Sequence, residues 1–193
     1  MSTREVAGVR ARPAAGLVLL VLCSGVGAAT TLAAEGPGLG VPVPPEKLAT
    51  IDIGIGPDGK GLPAGRGSAV EGEKVFTAKC AACHGVGGEN GLHDRLVGGQ
   101  GSLATDKPVK TVGSYWPYAT TVFDYVRRTM PFQEPRSLAD DEVYAVTAWL
   151  LWRNGIIGQR TVMDAKSLPK VRMPNRDGFI WTADVPAPVS PPY

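Results

Sequence analysis

An all-α fold, with about three core helices around a covalently held group, is what this sequence predicts. Three observations carry that expectation. The 193-residue chain has 25 Gly and 17 Pro, and they crowd into residues 35–67, 85–117 and beyond 156, which read as loop or extended chain. The stretches left between them show apolar residues at helical rather than alternating spacing. The first of these stretches runs straight into Cys80-Ala81-Ala82-Cys83-His84.

Each helix has its own local signals. Ser68 with Glu71 three residues on makes a capping-box start, and the helix that follows carries Val70, Val75 and Phe76. A second helix is expected over about Ala119 to Thr129, with Val122, Tyr125 and Val126 at helical spacing. A third covers about Asp140 to Arg153, with Val143, Val146, Leu150 and Leu151 on one stripe. Asp140, Asp141 and Glu142 fall in its first turn, where the helix dipole favours anions. Gly155 supplies a stop. The expected division is 1–33 signal peptide, 34–67 Gly/Pro-rich arm, 68–155 haem-binding domain and 156–193 extended C-terminal arm. Three short helices bury little surface alone, so the bound group is expected to supply part of the core.

The Cys80–His84 run is the attachment pattern of a c-type haem. Two thiols two residues apart can each bond one vinyl group of a single haem, and the next histidine then lies beneath the ring as an axial iron ligand. A structural zinc site would need a second ligand pair, and only His93 follows, with no cysteine downstream. A thioredoxin-like dithiol would need a βαβ setting. One haem c is therefore expected, held by Cys80 and Cys83, with His84 as proximal ligand.

The N-terminus reads as an export signal. Arg4, Arg10 and Arg12 precede the apolar stretch Ala14 to Val26, and small residues around Ala33 offer a cleavage site. The apolar run is short of the roughly 20 residues of a spanning helix, so no membrane span is expected after cleavage. Cleavage would remove Cys23, leaving only the two haem thiols, and would take the formal charge from +2 to neutrality. Nucleic acid is not an expected partner, and the expected location is the periplasm.

The distal iron face decides the chemistry. Met130, followed by Pro131 just past the second helix, is the favoured sixth ligand; His93, Met163 and Met173 are the other thioether and imidazole candidates. His/Met ligation raises the reduction potential and closes the iron to small molecules, which fits one-electron transfer. An open iron would fit a haem enzyme or gas sensor instead.

With these residues in place the core resembles a class I cytochrome c. Gly72 and Phe76 resemble one side of that family's helix crossing, and Ala148-Trp149-Leu150 the other. Further stretches resemble the cytochrome c subunit of Sox-pathway sulfane dehydrogenase and related sulfite dehydrogenases. They are Ile51-Asp52-Ile53 with Pro57-Asp58-Gly59-Lys60-Gly61-Leu62-Pro63, the block from Val112 through Trp116 to Phe132, and the tail Leu168 to Phe179. The resemblance implies a non-catalytic electron-transfer subunit beside a molybdenum-cofactor dehydrogenase subunit, passing electrons to a downstream periplasmic cytochrome. Service to another dehydrogenase, such as a quinoprotein, or a freely diffusing carrier, stays open.

Other expectations concern the surroundings of the haem. A carbonyl near Gly98 or Gly99 is expected to accept from the His84 ring. Tyr115, Trp116 and Tyr118 are expected at the haem edge, by propionate bonds or by plain packing. Arg127 and Arg128 are expected as a solvated face, a propionate partner or a docking pair. The arms are expected to wrap a partner, so that deleting residues 164–193 would weaken association and leave the haem spectrum intact.

Overall fold

The computed structural model describes residues 40–179. Residues 1–33, read as a signal, lie outside them. By its contacts the chain forms two units, Met1–Pro42 and Val43–Tyr193, and all the elements below belong to the second. In order they are α1 (Pro45–Ile51), β1 (Arg66–Ser68), α2 (Ala69–Lys79), α3 (Ala81–His84), α4 (Ala119–Thr129), α5 (Asp140–Arg153) and β2 (Val162–Asp164), with single 3-10 turns at Ser102–Ala104 and Leu168–Lys170.

The three expected helices are α2, α4 and α5. Ser68 caps α2 as the sequence implies: its hydroxyl accepts from the Glu71 amide, and the Glu71 carboxylate accepts from the Ser68 amide at 2.8 Å. The Ser68 hydroxyl also donates to that carboxylate at 2.7 Å, and this bond, followed by the one from the Ser68 amide, holds the Glu71 carboxyl below its ordinary range. α4 buries Val122, Phe123 and Val126 and turns Tyr125 and Arg128 outward. α5 is enclosed on every side from Val143 to Leu151, because α2, α4, β1 and β2 all pack against it. Its end is a Schellman motif, in which Gly155 at φ +70 donates to the Trp152 carbonyl and Ile156 to that of Leu151.

α2 and α5 cross at a close approach made by glycine. A side chain on Gly67 or Gly72 would collide with the backbone of Ala145. One turn beyond Gly72, Phe76 stacks on Trp149 at 3.9 Å between ring centroids. Val70, one of the apolar residues this helix carries, is 45% exposed, and the buried residues of α2 are Ala69, Gly72 and Phe76.

Both arms differ from expectation. Residues 45–51 form α1, in which Pro45 occupies a first-turn position, where its missing N–H costs nothing. No residue of α1 is buried. The following stretch is fastened to the helices: the Ile55 amide donates to Asp124 at 3.1 Å, and the Tyr144 hydroxyl donates to the Pro63 carbonyl at 2.9 Å. β1 pairs antiparallel with β2, so the two arms meet, with Gly67 opposite Met163. Met163, Leu168 and Met173 lie within the hydrophobic core. Burying a side chain of this size contributes about 1.5–3 kcal/mol. The C-terminal stretch to Met173 is therefore part of the fold, which weighs against the expectation that deleting residues 164–193 leaves the haem spectrum intact.

Candidate haem site

The site begins where α2 ends. Cys80 is the C-cap of α2, and one further helical turn, α3, carries Cys83 and His84. The Cys80 carbonyl accepts from the amides of Cys83 at 3.1 Å and His84 at 3.0 Å. This turn places the two sulfurs three residues apart on one helical face, with about 5–6 Å between Cβ atoms. Both thiols are free and half-buried. Burial, with a smaller contribution from the neighbouring Cys83, pushes the Cys80 thiol up to about 11.

His84 has a fixed orientation. Its Nδ1 lies 2.7 Å from the Asp94 carbonyl oxygen. A carbonyl can only accept, so Nδ1 carries the proton and Nε2 keeps a free lone pair. That is the tautomer and aim a histidine iron ligand needs. The expected acceptors near Gly98 and Gly99 are otherwise engaged. The Gly98 carbonyl accepts from Thr111 Oγ1 at 2.5 Å, and the Gly99 carbonyl from Ser102 Oγ at 2.5 Å. The loop folds back sooner than expected, closed by the bond from the His93 amide to the Cys83 carbonyl. His93 itself is exposed.

Asn154, not foreseen, anchors this loop to the end of α5. Its Oδ1 accepts from the Gly98 amide at 2.9 Å, and its Nδ2 donates to the carbonyls of Leu96 at 3.2 Å and Leu150 at 2.8 Å. Gln100 adds a bond to the Asn154 carbonyl at 2.9 Å. In sequence Asn154 looks like a plain helix cap beside Gly155, and nothing local points to contacts more than 50 residues away.

Met130 is the C-cap of α4, in extended conformation. With Cys80, Ala81, Leu96, Trp116 and Ile156 it belongs to a group of half-buried apolar residues against the core. A c-type haem needs two thiols, a histidine and apolar side chains beside them, and Cys80, Cys83 and His84 supply the first three on one short stretch. The donor set fits haem c. Among the described residues no group of three or more His, Cys, Asp and Glu side chains could hold a metal ion, so the two thiols lack a zinc-type ligand set there.

The aromatic run before α4 is packed rather than bare. Trp116 meets the Tyr125 ring edge-on at 5.6 Å between centroids. Tyr115 lies under Phe179 at 5.4 Å, and the Arg176 guanidinium sits 4.0 Å from the Tyr118 ring centroid. Arg127 and Arg128 each have an internal partner. Arg127 bonds Asp140 at 3.1 Å, and Arg128 forks onto Asp124, with Nε 3.0 Å from both carboxylate oxygens. Arg128 stays on the exposed face of α4, with its side chain 48% exposed, while Arg127 is more covered at 23%.

Comparison with known proteins agrees with this site. The cytochrome c family model matches residues 69–154. A chain of the sulfane dehydrogenase SoxCD from Paracoccus pantotrophus is 41% identical, with a TM-score of 0.71 over 76% of this chain and 72% of that one. The thiosulfate dehydrogenase TsdBA from Marichromatium purpuratum aligns at 20% identity and a TM-score of 0.33, over 44% of this chain and 17% of that one, and carries no argument. The comparison with curated proteins returned no match. On the crossed helices, the thiol pair and the likeness to the SoxCD chain, this protein belongs to the class I c-type cytochromes, electron-transfer proteins with one covalent haem c.

Proposed function

We propose that the chain is the electron-transfer subunit of a periplasmic dehydrogenase of reduced sulfur compounds, with His84 and Met130 as the axial ligands of its haem. The observation that carries this reading is the 41% identity to a chain of sulfane dehydrogenase SoxCD, over about three quarters of each chain. The likeness extends beyond residues 69–154, where the general family model ends.

Haem c, when bound, supplies a reversible one-electron iron couple. The chain's residues do the rest. Cys80 and Cys83 hold the group by thioether bonds. The Asp94 carbonyl keeps His84 in the tautomer that aims Nε2 at the metal. Met130 would supply the second iron ligand, a thioether that would exclude small molecules and limit rearrangement with the change of charge. The polypeptide breaks no substrate bond; a molybdenum-containing partner oxidises the sulfur compound and delivers electrons singly, and a second periplasmic cytochrome takes them on. Residues 1–33 serve as the export signal, 68–155 as the haem-binding domain, and the flanking segments 34–67 and 156–193 as its extensions. Among the described residues no helix is long and apolar enough to cross a membrane.

Co-purification from native periplasm tests this, using a tagged chain and metal analysis of whatever accompanies it. A large partner containing molybdenum, which reduces the haem when given sulfite or a sulfane sulfur compound, is expected. A partner carrying a quinone cofactor and no molybdenum would contradict the sulfur assignment and leave the cytochrome assignment standing.

A further inference from the structure

We propose that residues 173–179 act as a strap that positions the Tyr115–Tyr118 loop and, through it, holds Met130 in place at the iron. This rests on the reading of Met130 as distal ligand. The strap's near end is fixed by Met173, which is 1% exposed. Beyond it, three successive contacts reach the loop. Asn175 Nδ2 donates to the Tyr115 carbonyl at 2.8 Å, Arg176 lies over the face of Tyr118 at 4.0 Å, and Phe179 meets the Tyr115 ring at 5.4 Å.

What the strap holds is the start of α4. Tyr118 is the N-cap of that helix and makes no side-chain cap bond. A helix whose first turn lacks such a bond depends on other contacts for its position. Here those contacts include the burial of Ala119 and Thr120, the Thr120 hydroxyl's bond to the Pro57 carbonyl at 3.3 Å, the edge-on packing of Trp116 against Tyr125 and, on Tyr118 itself, the Arg176 guanidinium. The other end of α4 is Met130. An α-helix is stiff along its axis, so a loosened first turn shifts its C-cap as well. Arg176 and Asn175 are thus positioning residues for the ligand.

The test uses ferric holoprotein and imidazole, which competes with a thioether for the iron. In the Asn175→Ala/Arg176→Ala double variant, imidazole should bind about tenfold more tightly, the scale set by losing one cation–π contact and one hydrogen bond. Arg176→Lys, which keeps the cation, should restore most of the resistance. Arg160→Ala, at an exposed position outside the strap, should leave affinity unchanged. A double variant that melts earlier but binds imidazole like the parent would overturn the strap while leaving Met130 as ligand. A Met130→Ala protein with the parent's imidazole affinity would overturn both.

Discussion

Phe76 and Trp149 stack at 3.9 Å between centroids and 22° between planes, and Gly72 is what lets them meet. A methyl group on Gly72 would strike the Ala145 carbonyl and stand 2.8 Å from Trp149 Cβ. Backbone cannot yield as a flexible side chain does. Gly72→Ala is therefore expected to cost about 1–3 kcal/mol or more through overpacking. Urea titration should show a lower midpoint at an unchanged slope. An unaltered midpoint would mean that the helices are farther apart than described.

Asn154 gives a second prediction. Replacing it with Ala leaves the half-buried Gly98 amide without its partner and the Leu96 carbonyl with the Val112 amide alone, at about 1–3 kcal/mol for the unpaired amide. The damage should be local as well as global. Hydrogen exchange should quicken at Gly98, and the loop that presents the Asp94 carbonyl to His84 should loosen. Exchange at the parent rate would show that the loop is held by Thr111 and Gln100 alone.

Truncation separates the two parts of the C-terminal stretch. Removing residues 164–193 takes away Leu168 and Met173, each worth about 1.5–3 kcal/mol when fully buried, so the melting temperature should fall steeply. Removing residues 180–193 takes away neither of these anchors, nor Met163, and should lower it far less. Equal melting temperatures for the two truncations would contradict the packing of the tail.

Tyr144 predicts how stability changes in alkali. Burial, followed by the charges of Asp140 and Asp164, pushes its hydroxyl up to about 12, from about 10 in the unfolded chain. A group whose value is raised on folding favours the folded state below the unfolded value. That contribution is lost as pH rises through the window from about 10 to about 12. Tyr144→Phe should be less stable at neutral pH by about 1 kcal/mol, from the lost bond to the Pro63 carbonyl. Its stability should also fall less steeply with pH across that window. Parallel pH profiles for parent and variant would exclude the assignment.

These predictions divide along the same line as legibility in the sequence. α2, α4 and α5 were readable because their signals are local: the Ser68–Glu71 box, the acidic first turn of α5, the glycine at 155. Cys80, Cys83 and His84 are legible because one helical turn sets all three. What escaped was decided at long range or by backbone. The Asp94 carbonyl has no side-chain signature, and the bonds of Asn154 reach from 150 back to 96. β1 and β2 are three residues each and exist only because the arms meet. Leu168 and Met173 sit among Pro and charged residues, so their burial does not show as a periodic pattern. Pro45 lies in a Gly/Pro-rich stretch that reads as extended chain, although it stands where a helix tolerates proline.

The nature of the closed iron is the claim on which electron transfer, rather than catalysis, depends. Near-infrared magnetic circular dichroism of the ferric holoprotein, alongside Met130→Ala, tests it most directly. The parent should show the charge-transfer feature of a thioether-bound low-spin haem. The variant should lose it, bind cyanide and carbon monoxide readily, and have a lower reduction potential. A bis-histidine or high-spin signal in the parent, unchanged by Met130→Ala, would contradict the account.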